Sequence, residues 1–230
     1  MKRSHSITLA LVGLIGGLAF AGTAAASKPA TDLGPLKAKC DAAISTRQAE
    51  LDKLSSRAGS APHLSGGHKS TIDSIIGSSK SGLGALQTKI DADTDLATLK
   101  ADCDAVASEY RVFALRSPQV HLALAGDRES AGVAKANDIA AKLQTAITKA
   151  EGNGKDVTDA KAKLADMKAK LADAGSKLSG TVDSELGLTP SQWNADHSVL
   201  AGPTQALRTA GDDLKAALAD AKAIVADLKA

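Results

Sequence analysis

Apolar residues recur at three- and four-residue steps along most of this chain, the spacing of one helix face rather than the strict alternation of a strand. Six stretches carry the pattern. The first runs through Leu36, Cys40, Ile44, Leu51 and Leu54, and the second through His68, Ile72, Ile76, Leu83, Leu86 and Ile90. The third takes Leu96, Leu99, Cys103, Val106, Tyr110 and Phe113, and the fourth Val133, Ala136, Ala140, Leu143 and Ile147 before Gly152-Asn153-Gly154 stops it. The fifth follows Val157, Ala160, Leu164, Met167, Leu171, Ala174, Leu178 and Val182. The sixth follows Leu200, Leu207, Leu214, Leu218, Ala221, Val225 and Leu228. Pro29, Pro35, Pro62, Pro118, Pro190 and Pro203 punctuate these stretches, as helices require. Ser117-Pro118 has the form of an N-cap followed by a first-turn proline.

These stripes are narrow, about two positions per heptad, which is the width of a helix–helix seam. The expected fold is all-α: antiparallel helical bundles with coiled-coil-like seams, one three-helix bundle over residues 27–117 and another over 118–230. A single mixed bundle is the alternative. Two segments weaken the helical pattern. Gly77, Gly82 and Gly84 each cost the second helix about 1 kcal/mol relative to alanine. The apolar runs Val112 to Leu115 and Val120 to Leu124 also fit a short hairpin. In the fifth stretch, Asp159 with Lys163, Asp166 with Lys170, and Asp173 with Lys177 form acid-before-base pairs four residues apart. Such pairs stabilise a solvated face and by themselves specify no partner.

The first 26 residues differ from the rest. Lys2 and Arg3 precede an apolar run from Ile7 to Phe20, and Ala24 and Ala26 present small residues ahead of Ser27. This order is that of a secretory signal peptide, and the run is short and glycine-rich for a membrane span. Cys40 stands too far from Ser27 to be a lipoprotein cysteine, and the C-terminus carries no apolar tail or sorting motif. An extracellular or cell-envelope location is expected, with Ser27 as the first residue of the exported part. Removing the leader changes the charge reading. The formal +2 is carried by Lys2 and Arg3, so residues 27–230 are formally neutral and offer no general attraction to nucleic acid. Tyr110, Phe113 and Trp193 are the aromatics left, too few for base-stacking platforms.

Few constellations point to chemistry. Asp91, Asp93, Asp95 and Asp102 match acidic positions of a calcium loop, but Leu96 stands where the loop needs glycine, and Asp95 reads better as a helix N-cap. His63 and His68 lack further metal ligands nearby. Ser117, His121 and Asp127 have the residue types of a catalytic triad, yet one helix cannot give them triad geometry. Arg47 interrupts the first seam and, if buried, would need a carboxylate such as Asp104 or Glu109. The most individual segment is Leu188 to His197, where Thr189-Pro190 opens a helical turn. Trp193 is expected to cap the C-terminal bundle, with Trp193, Asn194, Asp196 and His197 as candidate ligand contacts. No metal, cofactor or catalytic residue is expected.

Cys40 and Cys103 are expected to form one disulfide. The exported compartment is oxidising, and both residues lie on apolar seams near the N-terminal ends of helices that run parallel in an up-down-up bundle. Two buried thiols or an intermolecular bridge are the alternatives. At Lys89 to Cys103, Tyr110 to Arg128 and Leu188 to Leu200, the chain resembles a group of uncharacterised secreted proteins of actinobacteria. The resemblance implies an exported helical protein and no activity. The expected role is non-enzymatic: a structural, spacer or protein-interaction module whose partner is an envelope or extracellular protein. An enzyme whose polar groups converge from several helices is one rival. A membrane-active helical protein is another, its best feature being the run Val120 to Gly126.

Overall fold

The structure, a computed structural model, describes residues 32–229; the export signal expected over residues 1–26 lies outside them. Among the described residues the regular structure is helical and the fold is all-α. In chain order the elements are α1 (Gly34–Gly59), α2 (Gly66–Ala92), α3 (Leu96–Ser108), a π-helical turn (Val112–Arg116), α4 (Ser117–Gly152), α5 (Thr158–Leu178), the short α6 (Thr181–Leu186) and α7 (Pro190–Ala195), and α8 (Ala201–Lys229).

Side-chain caps set several of the helix starts. Ser65 accepts from the His68 N–H at the start of α2, and Asp95 accepts from the Thr98 N–H at the start of α3. Thr189 and Gln192 form a reciprocal capping box around Pro190. Ser117 departs from its expected role as a cap. The π-turn runs straight into α4, and the Ser117 hydroxyl donates instead to Glu50 Oε1 at 3.3 Å. The hairpin alternative fails at the same place, since residues 112–115 lie in that turn and residues 120–124 in α4.

Two stripes are cut where the backbone turns left-handed. The third ends at Ser108, and Arg111, at φ 44°, redirects the chain before Val112. Tyr110 and Phe113 therefore leave the α3 face. The Tyr110 ring fills the space beside Gly82, where a Cβ would lie 2.5 Å from it, and Phe113 is 49% exposed under the Arg47 guanidinium. The fifth ends at Leu178, and Gly180, at φ 71°, lets Val182 pass into α6. Among the described residues no carboxylate pairs with Arg47; its Nη1 donates to the Ala43 carbonyl at 3.0 Å.

Ile44, Leu51 and Leu54 of α1, Ile72, Leu83 and Ile90 of α2, and Leu99 of α3 are fully buried in one cluster. Val120 and Ala123 from the first turns of α4, with Val182 and Leu186 from α6, complete it. Farther along α4, Ala136, Ala140, Leu143 and Ile147 meet Leu164, Met167 and Leu171 of α5 and Ala217, Ala221 and Ile224 of α8. One helix thus contributes to both cores. On α8 the buried stripe is rotated from the expected one. It runs through Leu207, Ala210, Ala217, Ala221 and Ile224, while Leu218 and Val225 are exposed. Alanines at the contact let the helices approach closely, and the larger side chains fall to the shoulders.

The charge pattern of α5 also does more than its spacing implies. Lys163, Lys170 and Lys177 pair with Asp227, Asp220 and Asp213 of α8 at 2.6, 2.7 and 2.7 Å. Lys170 and Lys177 hold Asp166 and Asp173 on their own helix at the same time. As the lysines advance by heptads the aspartates retreat by heptads, so the ladder matches one antiparallel register of α5 against α8. A slip by one turn would separate all three rungs.

Cys40 and Cys103 stand at disulfide distance, with Cα atoms 5.5 Å apart and a sequence separation of 63. Closing a loop of that size stabilises a fold by about 4 kcal/mol in the chain-entropy model. Thiol labelling of denatured, unreduced protein is expected to find no free thiol, and reduction to lower the thermal midpoint. Two labelled cysteines, or a midpoint indifferent to reduction, would contradict the bond.

Candidate functional site: a buried polar junction

The packing of α2, α4 and α6 places charged groups in the interior. Asp127 of α4 is 8% exposed. Its Oδ2 accepts from the Ser65 N–H at 2.7 Å, and His68 Nδ1 lies 2.8 and 2.9 Å from its two carboxylate oxygens. His68 Nε2 faces Asp183 Oδ1 of α6 at 3.2 Å. Both imidazole nitrogens thus meet carboxylates. α6 reaches this point because Gly126 gives it room. A Cβ there would stand 2.5 Å from Val182 Cγ2.

Beside this pair lies Glu185, whose side chain is fully buried and whose carboxyl oxygens have no hydrogen-bond partner among the described residues. Burial, and secondarily the charge of Asp127, push its carboxyl up to about 8, so it is protonated at neutral pH. Its backbone is held from α4. Gln119 Nε2 donates to the Glu185 carbonyl at 2.5 Å and to the Leu188 carbonyl at 3.0 Å. Arg116 Nη1 donates to Gln119 Oε1 at 3.0 Å and to the same Leu188 carbonyl at 3.1 Å. Burial lowers the pKa of that guanidinium.

The tryptophan segment sits elsewhere than at the end of the C-terminal bundle. α7 lies against the corner after α3. The Arg111 guanidinium stacks on Trp193, 4.7 Å from the ring centroid, and the His197 ring covers Trp193 at 4.0 Å. Asn194 donates to the Ser108 carbonyl and accepts from Arg111. Asp196 turns to its own loop and accepts from the Ser198 N–H and hydroxyl. Three of the four candidate contacts are thus brought together, and they fasten α7 to the left-handed turn.

Other candidate pairs are separated. His63 points to a surface groove while His68 enters the junction. Ser117, His121 and Asp127 engage three different partners: Glu50, Arg57 and His68. Asp95 serves as the α3 cap, and Asp93 ends α2.

Asp127 and Glu185 were the functional-looking residues that periodicity passed over. Each is an acidic residue on a stripe position: Val120, Ala123 and Asp127 are spaced by three and four, as are Leu178, Val182 and Glu185. Compared with known proteins, the chain matches no family, no curated protein and no solved structure.

Glu185 gives a pH signature. Its folded pKa lies above the ordinary value of 4.5, so the folded state holds a proton that the unfolded state releases between pH 4.5 and about 8. Its contribution is complete below 4.5 and is lost as pH rises through 8, at a slope of up to about 1.4 kcal/mol per pH unit. Denaturant titrations across that window should show wild type losing stability relative to Glu185→Gln as pH rises. Parallel profiles for the two proteins would contradict a buried, protonated Glu185.

Proposed function

We propose that the exported part of this chain is a non-enzymatic helical-bundle protein with a structural, spacer or protein-interaction role at or outside the cell envelope. The observation that carries this reading is the use made of the chemistry-bearing groups. The buried acid–histidine pair is the feature that would favour an enzyme, yet His68 spends both nitrogens on Asp127 and Asp183, and Asp127 also holds the Ser65 N–H. Arg116 and Gln119 are committed to backbone carbonyls and to each other. Except for the Arg116–Gln119 contact, these bonds join one helix or linker to another, which is the work of a scaffold. The ion-pair ladder between α5 and α8 extends the same principle along the second core.

The membrane-active alternative rests on the run Val120 to Gly126, but Val120, Ala123 and Gly126 are buried, the first two in the α1–α2–α3 cluster. No helix among the described residues is long and apolar enough to cross a membrane. A ligand-contact role for Trp193, Asn194, Asp196 and His197 is the other alternative, supported by the half-buried indole.

Phe113, Leu218 and Val225 are large apolar residues left exposed, and they are the places to look for a partner. A photoactivatable side chain at each, introduced one at a time and irradiated in intact cells, should yield a discrete adduct with one envelope or extracellular protein from at least one position. Absence of adducts at all three, with dye released from lipid vesicles by the purified protein, would replace this reading with the membrane-active one.

A further inference from the structure

The α1–α2 loop and α4 face each other across a groove that none of the foregoing uses, with a cavity volume of ≈ 330 Å³. That lies at the lower end of the range for small-molecule sites, roughly 300–1,000 Å³. Pro62 and Leu64 from the loop and Leu124 from α4 give it apolar walls, and His63, His121 and Arg128 add polar groups. His121, Leu124 and Arg128 recur at three- and four-residue steps, so they line one face of α4. The two basic positions of that face stand about 10 Å apart. At one end Arg57 reaches the His121 ring, its Nη1 2.9 Å from the nitrogens. At the other end Arg128 is exposed and makes no hydrogen bond or ion pair among the described residues.

The lining contains no acidic side chain. Glu50 and Glu129 act on His121 and Arg128 from outside it. The two sides of the groove are also tied together by hydrogen bonds. Ser65 and His68, which follow the loop, are bonded to Asp127, the residue next to Arg128. A ligand entering it would therefore pay little ordering cost in the protein. Basic groups above apolar walls match a molecule that is charged at one end and apolar at the other.

We propose that this groove binds a small amphiphilic anion, a carboxylate or phosphate monoester with a short apolar tail. Arg128 holds the charged head and presents two N–H groups to it. The tail lies along the apolar walls formed by Leu124, Leu64 and Pro62. The head group belongs either to a free anion or to a lipid at a membrane surface. The proposal stands apart from the scaffold reading above.

Calorimetric titration of the purified protein with octanoate, octyl phosphate and inorganic phosphate, alongside flotation with phosphatidylglycerol vesicles, tests it and separates the two sources. Saturable binding of octanoate or octyl phosphate is expected, weakened about tenfold or more in Arg128→Gln and unchanged in Arg208→Gln, which alters an exposed arginine of α8. Binding confined to the vesicles, and lost in Arg128→Gln, would support the same site with a lipid head group. Thermal melts of both variants should match wild type, because each replaced side chain is exposed. No binding of any probe, equal binding by Arg128→Gln, or inorganic phosphate binding as tightly as octyl phosphate would overturn the proposal.

Discussion

A carboxylate buried inside a helix bundle is tolerated only if other groups meet it, because an ion taken out of water loses several kcal/mol of hydration. Asp127 meets that condition with the Ser65 N–H and the His68 ring, both from the start of α2. The rest of this half of the molecule is arranged around that constraint. The α1–α2 loop is held against α4, α6 comes close enough over Gly126 for Asp183 to reach the far side of the imidazole, and Glu185 is buried beside it, its pKa raised by burial and secondarily by the Asp127 charge. Removing His68 would leave the buried Asp127 carboxylate with the Ser65 N–H alone, so the contact ties the start of α2 to α4.

α4 transmits the consequence. Its first turns belong to the core built by α1, α2 and α3, and its later turns to the core shared with α5 and α8. Gln119 and Arg116 add a second tie by holding the carbonyls after α6, and the α7 segment closes on the turn at Arg111 through Trp193. Bonds that look like separate caps, stacks and ion pairs therefore share one result, which is that the connection from α5 to α8 is pinned to the other helices. A protein built this way is suited to presenting surfaces at fixed positions.

Most of the architecture was legible from periodicity, because burying a stripe is what makes a helix in such a chain. Cys40, Ile44, Leu51 and Leu54 fall on the face of α1 where their spacing puts them, and the same holds for α2 and α5. The stripe of α8 was read correctly at Leu207 and Ala221 but shifted by one position at Leu218 and Val225, where Ala217 and Ile224 are the buried residues. The breaks at Arg111 and Gly180 were hidden because apolar residues continue in step beyond them. The lysines of α5 looked like intrahelical partners because their second aspartates lie on another helix, where spacing within one segment carries no information. The polar junction was the least legible part. His68, Asp127 and Glu185 come from three segments; in sequence His68 and Asp127 suggest other partners, and spacing within one segment cannot bring the three together.

The central claim is that His68 and Asp127 form a structural clamp. A thermodynamic double-mutant cycle of His68→Gln and Asp127→Asn, read by denaturant unfolding at neutral pH, tests it directly. The account predicts non-additivity, with a coupling of about 1 kcal/mol or more, because either single change removes the same contact between the imidazole and the buried carboxylate. Two single-mutant losses that simply add would contradict the clamp.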